Sequence, residues 1–113
     1  ATTGYTLSYT GALLTNGAAT IDAATITGDA DGTAGSNQFA LGATVTGTGT
    51  VASGYSTGSN DYTFVAGSPQ SLASASAPAS ADTVAVRYLA NIAPSKNAGN
   101  YATNLTYILT ANF

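Results

Sequence analysis

Residues 101–113 read Tyr-Ala-Thr-Asn-Leu-Thr-Tyr-Ile-Leu-Thr-Ala-Asn-Phe. In an extended chain, Tyr101, Thr103, Leu105, Tyr107, Leu109, Ala111 and Phe113 fall on one face, with Ala102, Asn104, Thr106, Ile108, Thr110 and Asn112 on the other. One face is largely apolar and the other largely polar, the pattern of a strand with one side in a core and one in water.

The stretch before it repeats the pattern: Val84, Val86, Tyr88, Ala90 and Ile92 face one way, and Thr83, Ala85, Arg87, Leu89 and Asn91 the other. Residues 93–99, bounded by Pro94 and Gly99, connect the two strands. Further back, Phe39, Leu41, Ala43 and Val45 share a face in residues 37–46, and Tyr62, Phe64 and Ala66 share one in a short strand beside Asp61. Residues 18–27 read as one strand through their Ile and Thr content, without a clear apolar face. Residues 71–81, where Ser and Ala alternate around Pro78, read as a loop or edge strand. At the front, Tyr5, Leu7 and Tyr9 alternate with Thr6, Ser8 and Thr10. Seven or eight short antiparallel strands separated by turn signals predict an all-β, immunoglobulin-like or pilin-like β-sandwich, with a small barrel second.

Composition narrows the chemistry. Among 113 residues there is no His, Cys, Met or Trp, only 6% are charged, and the net charge is −3. Without His or Cys there is no side chain that titrates unaided near neutral pH and no thiolate nucleophile. Two cations, Arg87 and Lys96, make no patch to neutralise phosphates. No apolar run approaches the roughly 20 residues of a spanning helix. The expectation is therefore a non-catalytic protein without a cofactor, a nucleic-acid partner or membrane insertion. A first residue that is Ala1 rather than Met fits a product of signal-peptide removal, so secretion to the cell surface is expected.

The ending Ala98-Gly99-Asn100-Tyr101, followed by alternation to Phe113, resembles the final strand of pilins that assemble by donor-strand exchange, as in chaperone-usher fimbriae and related prokaryotic surface fibres. The opening from Ala1 to Tyr9 is similar in length and alternation to the donor strand of such subunits. The chain departs from many of them in lacking a cysteine pair. The resemblance implies a structural subunit of an extracellular filament, pilus or surface coat, with identical subunits as partners. Residues 1–12 would be the donor strand, carrying Tyr5, Leu7 and Tyr9, and residues 13–113 the sandwich. The acceptor groove would lie beside the last strand, at Tyr101, Leu105, Tyr107, Leu109 and Phe113.

Other motifs have plainer readings. Asp29-Ala30-Asp31-Gly32 resembles the start of a calcium loop, but the later acidic ligand is missing and a polar turn is the reading adopted. Asn104-Leu105-Thr106 is an N-glycosylation sequon on the polar face of the last strand. Seven tyrosines raise the alternative of a secreted carbohydrate-binding module or adhesin with host or cell-surface glycans as partners. Tyr55, in a Gly- and Ser-rich stretch, is its expected exposed ring.

Overall fold

A computed structural model describes residues 3–78 and 81–112. Its strands are β1 (Tyr5–Gly11), β2 (Leu14–Asn16), β3 (Ala19–Ile21), β4 (Thr25–Ile26), β5 (Gln38–Thr46), β6 (Thr50–Val51), β7 (Tyr62–Thr63), β8 (Gln70–Ala75), β9 (Thr83–Asn91) and β10 (Leu105–Ala111). The helical content of the described residues is one 3-10 turn, Thr57–Ser59. One sheet has the order β10-β1-β8-β6 and the other β4-β7-β5-β9, with β2 and β3 forming a separate hairpin. The named strands pair antiparallel throughout. The result is the expected β-sandwich, a slab of 50 × 27 × 17 Å.

Between the sheets, Tyr9 and Leu72 of the first meet Phe39, Leu41 and Ala43 of the second, and Ile21, Tyr55 and Phe64 fill the space between them. Phe64 stands edge-on to Phe39 at 4.9 Å and stacks on Tyr9 at 5.7 Å. Burying each such large side chain contributes about 1.5–3 kcal/mol. The backbone makes β5 the spine of the second sheet: its full length pairs with β9, from Gln38 opposite Asn91 to Thr46 opposite Thr83.

Several sequence expectations are corrected by this arrangement. Residues 18–27 are not one strand. The chain leaves β3 after Ile21, and the Asp22 carbonyl and Ala24 N–H bond to Phe39, at 2.8 and 3.1 Å, before β4 joins the other sheet. Tyr62 and Phe64 do not share a core: Tyr62 joins Ile26 and Ala40 in a second small cluster, while Phe64 enters the main one. The stretch from residue 71 holds an internal strand, since β8 lies between β1 and β6. A register shift opposite Leu7 and Ser8 leaves Leu72 as an extra residue, so Leu72 and Ala73 are both buried in succession. A bulge of this kind breaks strict alternation, and with it the periodic signal by which a strand is read. The final strand is shorter than its alternation suggests, because Ala102 forms a separate bridge with Thr15. Among the described residues ten strands stand where about seven or eight were expected, several of them only two residues long.

Candidate functional site: the open edges of the two sheets

The two sheets end very differently on their two sides. The edge strands β4 and β6 have two residues each, whereas the opposite edges, β9 and β10, have nine and seven. The hydroxyls of Tyr88 in β9 and Tyr107 in β10 are hydrogen bonded to each other, so these long edges lie on the same side of the sandwich. Burial raises the Tyr107 phenol above the usual range, helped by the bond to Tyr88.

Backbone hydrogen bonds fix which groups of β10 are free. The Asn112 N–H donates to the Gly4 carbonyl at 3.0 Å, and the Asn112 carbonyl accepts from the Thr3 N–H at 3.2 Å. Asn112 therefore turns both groups toward β1, and strand alternation turns those of Thr106, Ile108 and Thr110 the same way. Leu105, Tyr107, Leu109 and Ala111 then point their N–H and C=O groups outward, away from β1.

The side chains along this edge are unusually apolar for a surface. Leu109 is 68% exposed, Ile108 42% and Tyr107 39%, and Tyr88 on the neighbouring edge and Ile92 just past the end of β9 are each 52% exposed. β10 carries no charge, and β9 carries only Arg87. Exposed edges are normally protected by Lys, Pro, bulges or short length. β10 has none of these.

The expected donor residues occupy a different place. β1 is an internal strand, with Tyr5, Leu7 and Tyr9 opposite Ala111, Leu109 and Tyr107 on one side and Ala75, Ala73 and Gln70 on the other. Within one chain this arm is not free, and residues 1–12 and 13–113 are not structurally separate where described, since β1 completes the sheet of the rest. Tyr9 is fully buried; its hydroxyl bonds that of Tyr55 at 2.7 Å and accepts the Val65 N–H at 3.1 Å. Tyr5 donates its phenol proton to Asp82 at 2.8 Å.

Of the expected acceptor residues, Leu105 and Tyr101 pack against the core and Tyr107 and Leu109 are exposed, while Phe113 lies outside the described residues. The Tyr101 hydroxyl donates to the Asn97 carbonyl at 2.8 Å. Asn104 is exposed just before β10. Asp29 accepts the Asp31 N–H at 3.1 Å, as in a polar turn, and no group of three or more potential metal-ligating side chains comes together among the described residues.

Tyr55 corrects the sequence reading outright. It is 6% exposed, its ring stands against Tyr9 at 5.8 Å, and burial holds its phenol well above the usual range. A ring in that position is not available to stack on a sugar. Its Gly- and Ser-rich surroundings suggested a surface loop, but that loop folds back on β5, where the Tyr55 carbonyl accepts the Ala43 N–H at 2.7 Å.

The alternation of residues 83–92 sets Tyr88 and Ile92 on the apolar face beside Val84 and Val86, but each is 52% exposed, because β9 is an edge strand and alternation does not show that. No protein-family model, no curated protein and no solved structure matches the chain. No helix among the described residues is long and apolar enough to cross a membrane.

Proposed function

We propose that this chain is a structural subunit of an extracellular filament or surface coat, joined to identical copies by strand pairing. The observation that supports it is the seven-residue, uncharged outer edge of β10, with Tyr107, Ile108 and Leu109 exposed beside it. Such an edge is a template for another strand, because one added ladder satisfies its backbone groups and covers its apolar side chains together. A charge-poor surface suits close packing of identical copies, which strongly charged surfaces would oppose. Export to the cell surface belongs to the same reading.

In its donor-strand form, β1 of one copy fills the slot between β8 and β10 of the next, in the register it uses within its own chain. The short connection suits that exchange, since only Ala12 and Leu13 separate β1 from β2.

The test has two parts. Electron microscopy and sedimentation of the purified chain are expected to show regular filaments or sheets, and a monomer at every concentration contradicts the proposal. Exchange itself is tested by a Leu7→Cys, Leu109→Cys chain. These residues face each other in a non-hydrogen-bonded pair, where Cα atoms sit about 4.5 Å apart and a disulfide fits. Oxidation of the monomer before assembly locks β1 into its own sheet, whereas oxidation after exchange would link each copy to the next through the same pair. Polymerisation that stops on oxidation and resumes on reduction supports donor exchange, and polymerisation indifferent to the lock counts against it.

A further inference from the structure

We infer that β10 pairs edge to edge with β10 of a second copy, antiparallel and two-fold symmetric about Ile108. This rests on the reading of the chain as a self-assembling subunit and names the contact.

The strand is close to self-complementary in that register. Leu105 falls opposite Ala111 of the second copy, Thr106 opposite Thr110, Tyr107 opposite Leu109, and Ile108 opposite Ile108. The backbone phase agrees. Leu105, Tyr107, Leu109 and Ala111 have the outward N–H and C=O groups, so each enters a hydrogen-bonded pair and no outward group in the strand is left over. The axis then passes through a non-hydrogen-bonded pair, where the two Ile108 side chains lie closest. On the inner face, Leu109, the most exposed of the large apolar side chains at 68%, is covered by Tyr107 of the second copy. On the outer face Ile108 meets Ile108, flanked on both sides by Thr–Thr pairs. Cross-strand pairs of these kinds favour the contact.

Charge selects β10 over its neighbour. β9 is also long and open, but its middle residue is Arg87, and symmetric antiparallel pairing about its centre would set Arg87 against Arg87. Like charges directly opposite are destabilising. β10 has no charge to oppose. The pairing joins two four-stranded sheets into one, β6-β8-β1-β10 continuing into the same strands of the second copy in reverse. It uses only the outer edge of β10, which stays free whether the adjoining β1 comes from the same chain or from a neighbour. The contact is isologous and closes on itself. In a fibre built by β1 exchange it would join two such strings side by side.

The test uses the absence of any native cysteine. In an Ile108→Cys chain the two thiols meet on the axis with Cα atoms about 4.5 Å apart, within disulfide reach. Mild oxidation of the dilute protein is expected to give almost entirely a disulfide-linked dimer. Thr106→Cys alone is expected to stay unlinked, because its opposite residue is Thr110, whereas an equal mixture of Thr106→Cys and Thr110→Cys chains links as heterodimers. Leu109→Lys, at a site exposed enough to leave the fold intact by circular dichroism, is expected to weaken dimerisation at least about tenfold, since it buries a cation against Tyr107 of the second copy.

Ile108→Cys that does not link, Thr106→Cys that links equally well with itself, or Ile108→Cys that links instead to an Arg87→Cys chain each overturns this pairing. If filaments still form in any of these cases, the subunit reading stands without it. A wild-type chain that is monomeric at every concentration overturns both.

Discussion

Asp82 is held by the phenol of Tyr5, which donates to Oδ2 at 2.8 Å, although Tyr5 opens β1 and Asp82 immediately precedes β9, 77 positions further along the chain. The N–H groups of Thr48 and Gly49 donate to the same carboxylate at 2.9 and 2.8 Å, so one side chain ties β1, the β5–β6 turn and the entry to β9 together. The Thr48 N–H, then the Tyr5 phenol, hold this carboxyl below its usual range.

A carboxylate whose folded pKa is depressed contributes stability above the ordinary carboxylate range, near pH 4, and that contribution is lost as pH falls through the folded value. Thermal unfolding followed across acid pH is therefore expected to separate wild type from Asp82→Asn at pH 6, with the two curves converging as pH drops. A constant separation down to the lowest pH would show that the ionised form plays no part.

At the alkaline end the sign reverses. Burial raises the phenols of Tyr55 and Tyr107, so the protonated forms favour the fold and stability falls as pH rises beyond about 10, the unfolded value. Phenolate absorbance is expected to show late-titrating tyrosines that ionise together with unfolding, and Tyr55→Phe should remove part of that phase.

Tyr9→Phe leaves the Tyr55 hydroxyl and the Val65 N–H without their partner inside the core. Urea unfolding is expected to show a loss of about 1–3 kcal/mol. Adding Tyr55→Phe should cost less than the sum of the two single changes, because one bond is removed in both; additivity would mean the hydroxyls are not coupled.

Gly47 adopts a φ of +136°, and a Cβ there would lie 2.0 Å from Asp82 Oδ1. Gly47→Ala is expected to destabilise by at least about 1 kcal/mol and to weaken the acid dependence attributed to Asp82, since the carboxylate must move. Unchanged pH dependence would separate the turn from the carboxylate it encloses.

Leu72, fully buried at the β8 bulge, gives a direct measure of the core: Leu72→Ala is expected to cost about 2–5 kcal/mol in denaturant unfolding. A loss below 1 kcal/mol would mean that the site collapses to fill the space.

The sequence by itself determined that the chain is all-β and which residues line the main faces of β1, β5 and β10, because the two-residue side-chain period is written directly into the order of Tyr, Leu, Val and Thr. Pairing depends on partners distant in sequence, and only the tertiary structure decided it. It placed the first strand inside its own sheet, put Tyr55 in the core and left β10 as an open edge. Whether a strand is central or peripheral, or a tyrosine in a glycine-rich loop folds inward, is settled by contacts made after collapse, and no local periodicity encodes them.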